Sequence, residues 1–144
     1  MPVNKTGYYW IIFALILFAV ISRIIPHPPN FTPVGAIGLF AGCFLAVKRF
    51  WLIPLAALLV SDLYLGVYHP ASMISVYIAF FISALIGRFV LYQQFSAYKL
   101  GGAVLLSAAQ FFLVTNLGVW LSGLLYPLDF NGLITCYVMA IPFF

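Results

Sequence analysis

One acidic residue stands inside an otherwise apolar run. Asp62 lies within PLAALLVSDLYLG, toward the end of a segment that reads as a helix. A carboxylate in hydrocarbon is costly unless it is paired or faces water, so such a residue marks either a functional site or a structural ion pair. Arg23 lies at the matching level of the first apolar segment and is the counter-ion such a pair would use. The two readings coexist if the pair borders a pocket. Asn116, within FFLVTNLGVWLSG, is the second polar group of this kind. It fits a binding pocket or a hydrogen bond between helices. Asn30, Tyr64, Trp120 and Tyr126 gather near the same segment ends, together with His27, Tyr68, His69, Thr115, Asp129 and Asn131. Aromatic walls with a few orienting polar groups suit a small-molecule site. The same tyrosines and tryptophans also suit an interfacial belt.

Covalent and hydrolytic chemistry finds no support. The chain has no HExxH, GxSxG or P-loop, and no cysteine beside a histidine. Asp62 and Asp129 are the two carboxylates, and the second lies in a loop, which leaves little for general acid–base work. His27 and His69 are isolated and make no metal site. The expectation is a protein that is not an enzyme and carries no cofactor or metal. Without a nucleotide site it would not draw on ATP by itself.

Composition says what must position these residues. Of 144 residues, 66% are hydrophobic and 6% charged, where a soluble domain carries about a quarter charged residues. Such a chain needs a lipid bilayer around it. The fold class expected is all-α, a polytopic transmembrane bundle of about six helices in one integral membrane domain. The formal charge of +4 does not imply nucleic acid, because the six basic residues are scattered between apolar runs. Cys43 and Cys136 lie far apart in apolar runs and read as small core residues.

The helices are expected at about 8–25, 33–47, 50–68, 71–92, 100–120 and 132–144. The first run is long enough to span and lacks a cleavage site, so it reads as a retained helix. PHPPNFTP reads as an extended loop, with Thr32 capping the second helix and Pro33 at its first position. The second and sixth are short for a crossing. Lys5, Lys48, Arg49, Arg88 and Lys99 fall on one side and Arg23 alone on the other. That bias places the N-terminus in the cytoplasm of a bacterial inner-membrane, multi-pass protein. Gly38, Gly42 and Ala46 form one ladder of small residues, and Ala79, Ser83 and Gly87 another. Such ladders serve close helix packing, within the chain or against a partner.

The runs SRIIPHPPNFTPVGAIGLFAG, PLAALLVSDLYLG, FFLVTNLGVWLSGLLYP and CYVMAIPFF resemble an uncharacterised bacterial family of proposed transport proteins. That family is similar to the substrate-binding S subunits of energy-coupling-factor (ECF) vitamin transporters. The resemblance implies a six-helix bundle with both termini inside and a vitamin-like ligand bound near the outer surface. It also implies a coupling membrane subunit and ATPases as partners. It assigns the motif positions Asn30, Pro33, Ser61, Asp62, Asn116, Trp120 and Tyr126. The first helix departs from the S-subunit pattern, since only Ala14 and Ala19 interrupt its bulky residues. The alternative expectation is a non-catalytic accessory or assembly subunit of a larger membrane complex.

Overall fold

The computed structural model describes residues 5–26, 32–45 and 48–143, with the side chains of Lys5, Thr6 and Tyr8 left aside. Asn30, His27 and Ala46 lie outside the described residues. The described chain is all-helical, with six α-helices and no strand. They are α1 (Lys5–Ile24), α2 (Val34–Phe44), α3 (Leu52–Leu65), α4 (Pro70–Ile86), α5 (Ala97–Leu121) and α6 (Phe130–Ala140).

Local chemistry sets most of the ends. The Thr32 hydroxyl accepts from the Val34 N–H at 3.2 Å, but Pro33, expected at the first helical position, is itself the N-cap of α2, and Thr32, expected as the cap, stands one residue before it. Gly66 terminates α3 with φ of +98°, a left-handed conformation that favours glycine. His69, grouped from sequence with the polar residues near the candidate site, starts α4. Its Nδ1 accepts from the Ala71 N–H, with Pro70 at the first helical position. Ser96 caps α5 by accepting from the Lys99 N–H. Asp129 caps α6 by accepting from the Gly132 N–H at 2.7 Å, so this loop carboxylate is a helix cap. α6 passes into a single 3-10 turn, Ile141–Phe143, at Pro142, which has no N–H to continue it.

One departure is larger. The expected fourth helix ends in a π-helical turn, Gly87–Leu91. Gly87 lies there against the backbone of Leu39, and a Cβ would overlap the Leu39 carbonyl. A Cβ at Gly42 would likewise overlap the Ala84 carbonyl oxygen and the Arg88 N. The two small-residue ladders therefore face each other across α2 and α4. Ala79 and Ser83 are buried on the same face, and Gly38 lies beside Ala84 and Ser83. Close backbone approach is what small residues permit.

The core is built around α2, whose Val34, Ile37, Gly38, Leu39, Ala41, Gly42 and Cys43 are buried. Ala19, Ile53, Ala57, Leu58 and Phe80 close one cluster around it, and Ile86, Leu91 and Ala103 a second. α4 and α5 pack along each other, α1 lies mainly on α3, and α6 packs on α5. Two helical stretches, Pro70–Leu91 and Ala97–Leu121, are long and apolar enough to cross a membrane. Tyr9–Ile24, Val34–Phe44, Leu52–Leu65 and Phe130–Phe143 are apolar but shorter.

The bundle has two unlike ends. At one, Arg88 lies over the rings of Phe50 and Tyr92 at 4.2 and 4.1 Å and donates to the Leu45 carbonyl at 2.6 Å. Lys48 and Arg49 are exposed in the turn that leads into Phe50, and Lys99 donates to Gln94 in the neighbouring loop. At the other end lie Arg23, Asp62, Tyr68 and the α5–α6 loop.

Candidate functional site

Asp62 lies three residues before Leu65, the last residue of α3, on the face of α3 that meets α1 and α4. Its side chain is 3% exposed. Arg23 Nη2 donates to Oδ1 at 2.6 Å, and the Tyr77 hydroxyl donates to Oδ2 at 2.9 Å. Three helices thus meet on one carboxylate: α1 through Arg23, α3 through Asp62 and α4 through Tyr77. Both oxygens are engaged, which is what a buried carboxylate requires. Tyr68, in the loop after α3, lines the same cavity as Arg23. Ser61, the neighbouring motif position, turns its hydroxyl back onto the Ala57 and Leu58 carbonyls.

Arg23, but not Asp62, borders a cavity of about 800 Å3. The cavity opens between the end of α1, the first half of α2, α4, α5 and the end of α6. Its apolar walls include Phe80, Phe111 and Phe112, and Phe143 lines it from the last turn. Polar groups stand at two levels. Thr32, Tyr68, Ser72, Thr115 and Asn116 lie toward the Arg23 end, and Ser83 and Ser107 line the deeper part.

The deep polar group was not legible as a site. The Ser107 hydroxyl donates to Ser83 Oγ at 2.8 Å. Gln110 Nε2 faces Ser83 Oγ and the carbonyls of Ala79 and Ser107, each at 3.0 Å. Two of those acceptors are carbonyl oxygens, so only the NH2 of the amide fits there and its orientation is settled by the network. That leaves Gln110 Oε1 buried without a hydrogen-bond partner. Ser83, read from sequence as a packing residue, is therefore also a polar junction beside the cavity.

The other candidate residues divide. Asn116 lines the cavity, with its Nδ2 donating to Phe112 O of its own helix at 2.8 Å. Tyr126 does not reach the main cavity. It borders an adjoining space of about 150 Å3 that shares Asn116, Val119, Ala140 and Phe143 and adds Cys136 and Met139. Trp120 ties the α5–α6 loop: its Nε1 donates to the Pro127 carbonyl at 2.9 Å. Tyr64 is 74% exposed and points away from both spaces. Two residues after Asp62 along an α-helix is a rotation of about 200°, so a side chain there faces the opposite way. Cys43 and Cys136 are free and buried. Among the described residues no three histidine, cysteine or carboxylate side chains come together as a metal site.

The arrangement offers space and polar contacts to a small molecule. It presents a partly open, largely apolar volume lined by one guanidinium, several hydroxyls and the Asn116 carboxamide. No curated protein and no solved structure matches the chain. One family model matches residues 4–144, nearly the whole length, and the chain belongs to that family, described as a family of unknown function (DUF6580).

Proposed function

We propose that this protein is a multi-pass membrane subunit that captures a small molecule in the Arg23–Asn116 cavity for transport. The cavity is the observation that carries the reading. A volume of about 800 Å3 lies within the range of ligand sites, and apolar walls with a few convergent polar groups are their usual lining.

The bilayer setting is supported by what the fold leaves outside. Leu63, Val67, Phe89, Leu105 and Leu125 are each more than two-thirds exposed, and every helix presents large apolar side chains outward. A water-soluble monomer rarely exposes contiguous apolar surface on this scale. Pro70–Leu91 and Ala97–Leu121 supply full crossings. The shorter α2 is the most enclosed helix, and backbone that ends inside a bundle is sheltered by protein instead of lipid. Lys48, Arg49, Arg88 and Lys99 gather at one end, which is the cytoplasmic one by the positive-inside rule. The cavity then opens toward the outer face.

The capture subunit would hand its ligand to a coupling membrane subunit driven by ATPases, as in ECF-type systems. The accessory-subunit alternative drew on the small-residue ladders as a partner surface. Gly42 and Gly87 are instead occupied within the chain, which favours the capture reading. The test is purification of the tagged protein from its native membrane in mild detergent, with mass identification of what accompanies it. A coupling membrane protein with two ATPases is the expected outcome. A stoichiometric set of unrelated membrane subunits would replace the capture reading with the accessory one.

A further inference from the structure

The cavity lining is one-sided in charge. Among the described residues Arg23 is the one charged side chain that lines it, and no carboxylate side chain does. Asp62 stands behind Arg23, 3% exposed, with one oxygen on the guanidinium and the other on Tyr77. Arg23 is more open, at 14%. A guanidinium carries five N–H donors in a planar fork. The Asp62 bond engages Nη2 of that fork, and Arg23 also lines the cavity. Thr32, Tyr68 and Ser72 surround the same end with hydroxyls, while Phe80, Phe111 and Phe112 make the walls beyond.

We infer that the cavity takes a small amphipathic carboxylate, its acid group on Arg23 and its apolar body along Phe80, Phe111 and Phe112. The inference rests on the cavity being the ligand site proposed above. A cation meets only Arg23 and no counter-charge. A neutral molecule can offer Arg23 an acceptor but no charge, and so gains the weaker kind of hydrogen bond. A dianion such as a phosphate monoester would bring twice the excess negative charge of a monoanion to one guanidinium already shared with Asp62. A monoanion with two planar oxygens matches the fork. Tyr77 assists from behind, because its hydroxyl holds the far oxygen of Asp62 and keeps that carboxylate turned from the ligand.

The test uses the full chain in detergent or lipid nanodiscs and measures calorimetric binding of matched acid and amide pairs: cinnamate and cinnamamide, octanoate and octanamide, indoleacetate and indoleacetamide. At least one acid is expected to bind about tenfold or more tightly than its amide, the size of a charge-assisted hydrogen bond. That preference is expected to vanish in the double variant Arg23→Gln/Asp62→Asn, which replaces the ion pair by two neutral amides and whose folding is checked by thermal unfolding. Arg23→Lys, with charge but no fork, should keep only part of it. Amides that bind as tightly as acids, and are displaced by filling the cavity with Ala108→Trp, would overturn the carboxylate inference and leave the ligand site standing. Failure of every pair to bind, in parent and variants alike, would overturn both.

Discussion

Removing the Asp62 carboxylate isolates the contribution of the three-helix junction. Asp62→Ala deletes the partner of a guanidinium and of a phenol at once, since Arg23 and Tyr77 bond its two oxygens at 2.6 and 2.9 Å. Breaking a buried ion pair by removing one partner costs about 3–5 kcal/mol, because the other charge stays behind. Arg23 is 14% exposed and borders the cavity, so it can recover some water, which favours the lower end of that range. The lost Tyr77 bond adds about 1 kcal/mol. A loss of about 3–4 kcal/mol lowers the unfolding midpoint of a chain this size by about 6–16 °C. The assay is fluorescence-detected thermal unfolding in one detergent at one pH. The double variant Arg23→Met/Asp62→Leu provides the control: a buried pair replaced by apolar groups is close to neutral, so it should recover most of the loss. A midpoint shift under about 2 °C for Asp62→Ala, less than one kcal/mol, would refute the junction as a stabilising element. So would a double variant as unstable as the single.

Three further outcomes follow from particular contacts. Gly42→Ala and Gly87→Ala should each destabilise by about 1–3 kcal/mol through overpacking, whereas Gly101→Ala, with open space at its Cβ, should be neutral or slightly stabilising; thermal unfolding separates them. Ser83→Ala removes the acceptor shared by Ser107 and Gln110 and should cost about 1–3 kcal/mol. Gln110→Leu should be milder, because it also removes the orphaned Oε1. On the transport reading, a membrane-impermeant thiol reagent added to intact cells should label Leu124→Cys and spare Gln94→Cys, with Cys43 and Cys136 buried; the reverse pattern would invert the orientation.

What was legible in the sequence followed from scarcity. A chain with two acidic residues offers few partners for Arg23, and the level of each along its helix points to Asp62 as the partner. Tyr77 was not legible as the third member, because a tyrosine in an apolar helix has many ordinary explanations. Gln110 was open to the rule that selected Asn116, a carboxamide within an apolar helix, and it sits in the same helix. Its partners Ser83 and Ser107 are small residues whose hydroxyls count only once α4 and α5 are placed side by side. The π-helical turn at Gly87–Leu91 depends on where the Leu39 backbone arrives from α2, which no local pattern encodes. Tyr64 was selected for its place near the outer end of its helix, but helical geometry turns it away from the side that Asp62 occupies. His69 and Asp129 looked like polar groups of the site, and both act as caps.

The position of Asp62 behind Arg23, instead of beside it in the cavity, is itself informative. An unpaired arginine among apolar helices is costly, and more so within a bilayer. A carboxylate facing the cavity would remove that cost but would also repel an anionic ligand and occupy the space where it binds. Setting Asp62 out of the cavity and fastening its far oxygen to Tyr77 neutralises the cation while Arg23 itself still lines the cavity. The same arrangement joins α1, α3 and α4 at the cavity's end. A ligand that adds a second acceptor to Arg23 would therefore tighten the contact on which these three helices meet, so occupancy of the cavity and packing of this end of the bundle are expected to be coupled. A cavity ligand should then raise the unfolding midpoint of the parent protein more than that of Arg23→Met/Asp62→Leu at equal occupancy. Equal increments in the two would separate ligand binding from the junction.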